Sequence, residues 1–97
     1  MRAVIAALLL IPALSVEAGD PFNGHTIYGK HCLSCHGNDG SGEIVGIPNL
    51  RKGEGLHKPD FQLVETLKMG VGAMPAYRGL LDDNELTDVI TYIRTLQ

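Results

Sequence analysis

A chain of 97 residues, 44% of them hydrophobic and 20% charged, has room for one small domain with a modest core. Its formal net charge is −3 and it has no run of Lys or Arg. Nucleic acid is therefore excluded as a partner, because binding it demands a basic patch.

The first residues, MRAVIAALLLIPALSVEAGD, carry one positive charge at Arg2, an apolar run from Ala3 to Leu14, and the small residues Val16 and Ala18 before Gly19. That is the layout of a secretory signal peptide, and the apolar run is short for a membrane span. The expected division is a leader over 1–18 and an exported domain over 19–97; an uncleaved N-terminal anchor is the alternative. Removing the leader takes away Arg2 and Glu17, so the net charge stays at −3.

PFNGHTIYGKHC, starting at Pro21, reads as a short helix with Asn23 as N-cap. Gly24, Tyr28 and Cys32 are spaced by four and share one face. His25 and His31 are expected near the surface.

Cys32-Leu33-Ser34-Cys35-His36 follows, and the chain has no other cysteines. A disulfide between thiols three residues apart closes a loop too short to restrict the unfolded chain much. A thioredoxin-like pair expects flanking strands, whereas Gly, Asn, Asp, Ser and Pro dominate residues 37–49. A zinc site from Cys32, Cys35, His36 and another histidine is conceivable, but His36 directly abuts Cys35, and ligand spacings of two to four are usual. Cys-x-x-Cys-His is itself the signature of covalent haem attachment. At a helix end, cysteines at i and i+3 lie one turn apart, where their thiols can add across two vinyl groups of a porphyrin while the next residue aims a ring nitrogen at the iron. Gly37 then lets the chain turn away.

PDFQLVETLKMG, from Pro59, reads as a second helix with Phe61, Val64 and Leu67/Lys68 setting the period and Gly70 ending it. Met69 at its end is expected in the core. GVGAMPAY follows, an irregular segment whose glycines allow close approach and whose Pro75 holds Met74 extended. In the last helix Asp82 and Glu85 resemble a capping box, and Leu86, Val89, Ile90, Ile93 and Leu96 form one apolar stripe. No segment alternates as a strand does, so an all-α domain with long loops is expected.

Together these residues resemble a class I c-type cytochrome, small and with one haem, over most of residues 22–97. The resemblance implies the cytochrome c fold, in which the N- and C-terminal helices cross at Gly24 and Tyr28 against Val89 and Tyr92, with loops wrapped around the haem. It implies one covalent haem c on Cys32 and Cys35, with His36 and Met74 as the iron ligands; the Gly72-Ala73-Met74-Pro75 context matches the family's distal methionine, and His57 is the rival ligand. Pro48 matches a proline whose carbonyl orients the proximal histidine, and Leu50 would pack on the haem. Arg51, Tyr77 and Arg78 are candidates for the propionates. The implied protein is a periplasmic one-electron carrier rather than an enzyme. It takes no small-molecule substrate at iron, exchanges electrons with transient redox partner proteins and is expected to be a monomer. Two alternatives stay open: a haem protein with a labile distal site, acting as gas sensor or peroxidase, and a haem subunit fixed to a larger oxidoreductase.

Overall fold

Asp20 can start a helix because its side chain accepts from the amides of Phe22 (2.9 Å) and Asn23 (3.3 Å), while Pro21 at the first helical position has no amide to leave unsatisfied. The result is α1, Pro21–His31. These contacts belong to a computed structural model that describes residues 19–97; the expected leader lies outside them. Asn23 is thus not the cap. It lies inside the first turn, and its amide side chain reaches across to Asp88.

After a break at Cys32 the chain re-forms one helical turn, α2, Leu33–His36. A long loop with a single 3₁₀ turn at Leu50–Lys52 leads to α3, Asp60–Met69. The last element is α4, Asp83–Arg94, started by a complete capping box in which Asp82 and Glu85 satisfy one another's amides at 2.8 and 3.1 Å. Among the described residues extended pairing is confined to one bridge between Val71 and Met74, so the all-α expectation is met.

The frame is the crossing of α1 over α4. Leu86, Val89 and Ile90 are almost wholly buried, and Tyr28 packs edge-on against Tyr92 with ring centres 5.3 Å apart. The helices approach so closely that a Cβ on Gly24 would meet the Asp88 carbonyl oxygen and lie 2.8 Å from Cβ of Tyr92. The Asp88 carboxylate fastens the start of α1 by accepting from the Asp20 amide (2.7 Å) and Asn23 Nδ2 (2.8 Å).

α3 packs on α4 through Leu63 and Val64, with Leu67 half-buried beside them. Phe61, expected to set the buried period, is 68% exposed. Two residues before Leu63, it is carried roughly 200° round the helix from that residue. Arg94 ties the other end of α4 to the approach to α3: its guanidinium donates to the carbonyls of Leu56 (3.1 Å) and Lys58 (2.8 Å) and to the Asp60 carboxylate (2.8 Å).

Candidate functional site

Because the terminal helices pack along one side only, the loops between them enclose a cavity of about 750 Å³. Leu50, Leu63, Leu67, Ile90 and Ile93 supply apolar wall. Cys32, Cys35, His36, Pro48 and Met74 face the same space. Cys32 and Met74, 42 residues apart in sequence, are thereby brought to one site.

The proximal side is built by the loop after α2 folding back on it. Gly37, at φ 83°, makes the reversal that a side chain would strain. The amides of Gly42 and Glu43 then donate to the carbonyls of His36 (2.7 Å) and Cys35 (2.9 Å), and the Leu50 amide donates to Gly40 (2.8 Å). Tyr28 holds the same turn from beneath, its hydroxyl donating to the Gly37 carbonyl at 2.6 Å. Burial of that phenol pushes its pKa up to about 12.

His36 is half-buried, and Nδ1 is sealed from solvent without a partner in full hydrogen-bonding geometry. Burial pulls the imidazole pKa below its ordinary value; the Pro48 carbonyl, directed at the ring, opposes the fall. The Pro48 carbonyl is therefore an acceptor near Nδ1 that does not complete a hydrogen bond with it. An imidazole kept neutral, with an acceptor waiting for one nitrogen, is arranged to use the other as a metal ligand.

The two cysteines are not joined to each other. Burial, and then the neighbouring Cys35, push the Cys32 thiol up to about 11. Redox-active Cys-x-x-Cys pairs have depressed thiol pKa values, so this environment is the opposite of theirs. Nor do three His, Cys, Asp or Glu side chains gather anywhere among the described residues, as a protein-ligated zinc would need. A large apolar cavity edged by two unpaired thiols and an imidazole with an orphaned nitrogen does fit a covalently held porphyrin.

The distal side is the segment after α3. Gly70, at φ 74°, ends the helix, and a Cβ there would lie 2.8 Å from the Met74 carbonyl oxygen and the Ala76 nitrogen. Val71 and Met74 pair around a two-residue turn with Gly72 at φ 56°. The amides of Tyr77 and Arg78 return to the carbonyls of Leu67 (2.9 Å) and Lys68 (3.3 Å), which presses the segment onto the end of α3.

The rival ligands lie elsewhere. Met69, expected in the core, is 65% exposed, and neither it nor the exposed His57 borders the cavity. Arg51 is engaged with Asp39 at 3.1 Å, Arg78 is exposed, and neither reaches the cavity wall. Tyr77 does reach it, but its hydroxyl donates to the His31 carbonyl at 2.8 Å. His31, expected at the surface, is half-buried against that ring, and Lys58 adds a charged group to the wall. An aromatic residue three beyond Met74 was the available signal for Tyr77; nothing local marks Lys58 or the Arg94 clamp.

No helix among the described residues is long and apolar enough to cross a membrane. A family model described as cytochrome c oxidase, cbb3-type, subunit III, matches residues 19–93. The chain is similar to the cbb3-type cytochrome c oxidase subunit CcoP of Azospirillum sp. (strain B510), with 32% identity over 92% of the chain and 33% of that protein. It is similar to the subunit FixP of Bradyrhizobium diazoefficiens, with 35% identity over 79% of the chain and 28% of that protein. It is 30% identical to cytochrome c6 of Thermosynechococcus vestitus over 94% of the chain and 83% of the relative. The chain thus spans about a third of the oxidase subunits and most of the cytochrome c6.

Proposed function

Since the chain belongs to the c-type cytochrome family, through the domain of cbb3-type oxidase subunit III, we propose that it is an exported one-electron carrier with one covalent haem. The observation that carries this reading is the convergence of Cys32, Cys35, His36 and Met74 on one cavity with apolar walls. A single Cys-x-x-Cys-His string in the chain supports one haem.

In this reading Cys32 and Cys35 would form the thioethers, and His36 and Met74 would hold the iron. The group supplies an iron that gains and loses one electron. The Pro48 carbonyl, directed at the ring, would accept from His36 Nδ1, fixing the ring and raising its basicity. Leu50, Leu63 and Ile90 keep water from the site, and the Met74 thioether favours the reduced, less charged iron. With His36 and Met74 both holding the iron, the chain would leave no place there for a substrate. The apolar leader supports a periplasmic location, and electron exchange needs brief contacts over a small interface with protein partners.

Carbon monoxide tests the closed site. The reduced protein at neutral pH should be inert to it on mixing; prompt binding would mean a labile distal ligand, as in a sensor or peroxidase.

A second reading is favoured by the oxidase-subunit relatives, of which the chain covers a third: a haem subunit held permanently on a larger oxidoreductase. Gel filtration of native extract separates the two. The carrier elutes at monomer size, and the subunit elutes with its complex.

A further inference from the structure

The distal segment would be expected to hold to the haem through Met74 alone, yet the chain gives it a second attachment. The junction at Cys32, where α1 stops and α2 begins, leaves the His31 carbonyl without a helical amide, as helix ends do. The Tyr77 hydroxyl donates to it at 2.8 Å across 46 residues, and the Tyr77 ring meets the His31 ring edge-on with centroids 5.7 Å apart. Among the described residues this is the one hydrogen bond between the segment 70–81 and the stretch carrying the Cys-His motif. The segment's other hydrogen bonds run within itself or to the end of α3.

Resting on the reading of Met74 as an iron ligand, we propose that Tyr77 is a positioning residue: its hydroxyl latches the Met74 segment to the end of α1, next to the Cys-His motif, and so sets how often the sulfur leaves the iron. The latch closes one residue before Cys32 and three residues after Met74, so it fixes the distance between the two sides of the site independently of the iron. Tyr77 is buried, at 7% exposure. A shift of the segment as a unit must therefore break the bond between the part-buried hydroxyl and the His31 carbonyl. This also removes Tyr77 from the candidates for a propionate, since its proton is already committed.

The test is Tyr77→Phe, which keeps the ring and deletes the donor, with Tyr28→Phe as control, because Tyr28 also places a buried hydroxyl on a carbonyl, at Gly37 on the proximal side. Imidazole is titrated into each oxidised holoprotein and the loss of the sulfur-to-iron band at the red end of the spectrum is followed, beside thermal unfolding by circular dichroism. One neutral hydrogen bond corresponds to about a five- to tenfold gain in apparent imidazole affinity in Tyr77→Phe. Tyr28→Phe should lose comparable thermal stability while its imidazole affinity stays within twofold of wild type. An unchanged affinity in Tyr77→Phe, or an equal gain in both variants, overturns the latch, because the hydroxyl would then serve general stability alone. A wild-type protein with no such band overturns Met74 as ligand, and the latch with it; a band that persists in wild type while Tyr77→Phe matches it overturns the latch only.

Discussion

Two methionines five residues apart differ in their surroundings. Met74 faces the cavity, and Met69 is mostly in solvent. Met74→Ala should therefore abolish the red-end sulfur-to-iron band of the oxidised protein, and Met69→Ala should leave it unchanged; an optical spectrum of each variant decides the assignment. Gly24 makes a different kind of demand, since any side chain there meets the backbone of Asp88. Gly24→Ala should cost about 3 kcal/mol in thermal or denaturant unfolding, at the upper end of overpacking effects, because a carbonyl cannot rotate aside as a side chain can. At Asp39 the prediction concerns pH. Hydrogen bonds from the Ser41 hydroxyl and amide, and then Arg51, hold its carboxyl down at about 2 from the ordinary 3.8. The folded pKa lies below the unfolded one, so this contribution is whole above pH 3.8 and drains away as pH falls toward 2. Asp39→Asn should flatten that limb of the acid-unfolding profile. Met74 was legible because glycines and a proline mark its segment as irregular. The Tyr77 latch was not, since its acceptor is a main-chain carbonyl 46 residues away, and every residue type has one.

Helix ends and faces were readable where chemistry is local. The capping box of α4 depends on two side chains three residues apart, and both were visible in the sequence. Asp82→Ala removes the acceptor for the Glu85 amide and should lower unfolding stability by about 1 kcal/mol. The start of α1 was displaced because Asn and Asp both make good caps; Pro21 decides for Asp20, being well suited to the first helical position. In α3 the period was right and Val64 and Leu67 lie on the buried face as expected, but Phe61 does not and Leu63 takes its place. Phe61 and Leu63 compete for the interior, and what settles it is the direction in which the loop held by Arg94 delivers Asp60 to α4. That direction is a tertiary property, set by a guanidinium 34 residues downstream. That the two thiols and the imidazole face one cavity was legible as well, because a Cys-x-x-Cys-His string carries all three within five consecutive residues.

For the molecule as a whole, a cavity of about 750 Å³ at the centre of so short a chain means that the apolar interior is shared between protein and prosthetic group. Ile44, Val45 and Val71 border that cavity and remain more than half exposed, so much of the chain's own apolar surface is assigned to a contact outside the chain. Cys32→Ala combined with Cys35→Ala should accordingly leave a largely unfolded protein, because the α1–α4 crossing alone buries too little to offset the ordering of the loops. Far-ultraviolet circular dichroism measures this directly, and native-like helix content without haem would contradict it.

The clamp between Asp20 and Asp88 closes over 68 residues, and Gly24 lies against the backbone of the same aspartate. The frame is therefore a long-range contact with a loop-closure cost that local helix formation does not repay. During synthesis α1 emerges early and has no partner until α4 has been made. In that interval both thiols of the Cys-His motif stay on an open stretch of chain, free to react before the frame closes around the site.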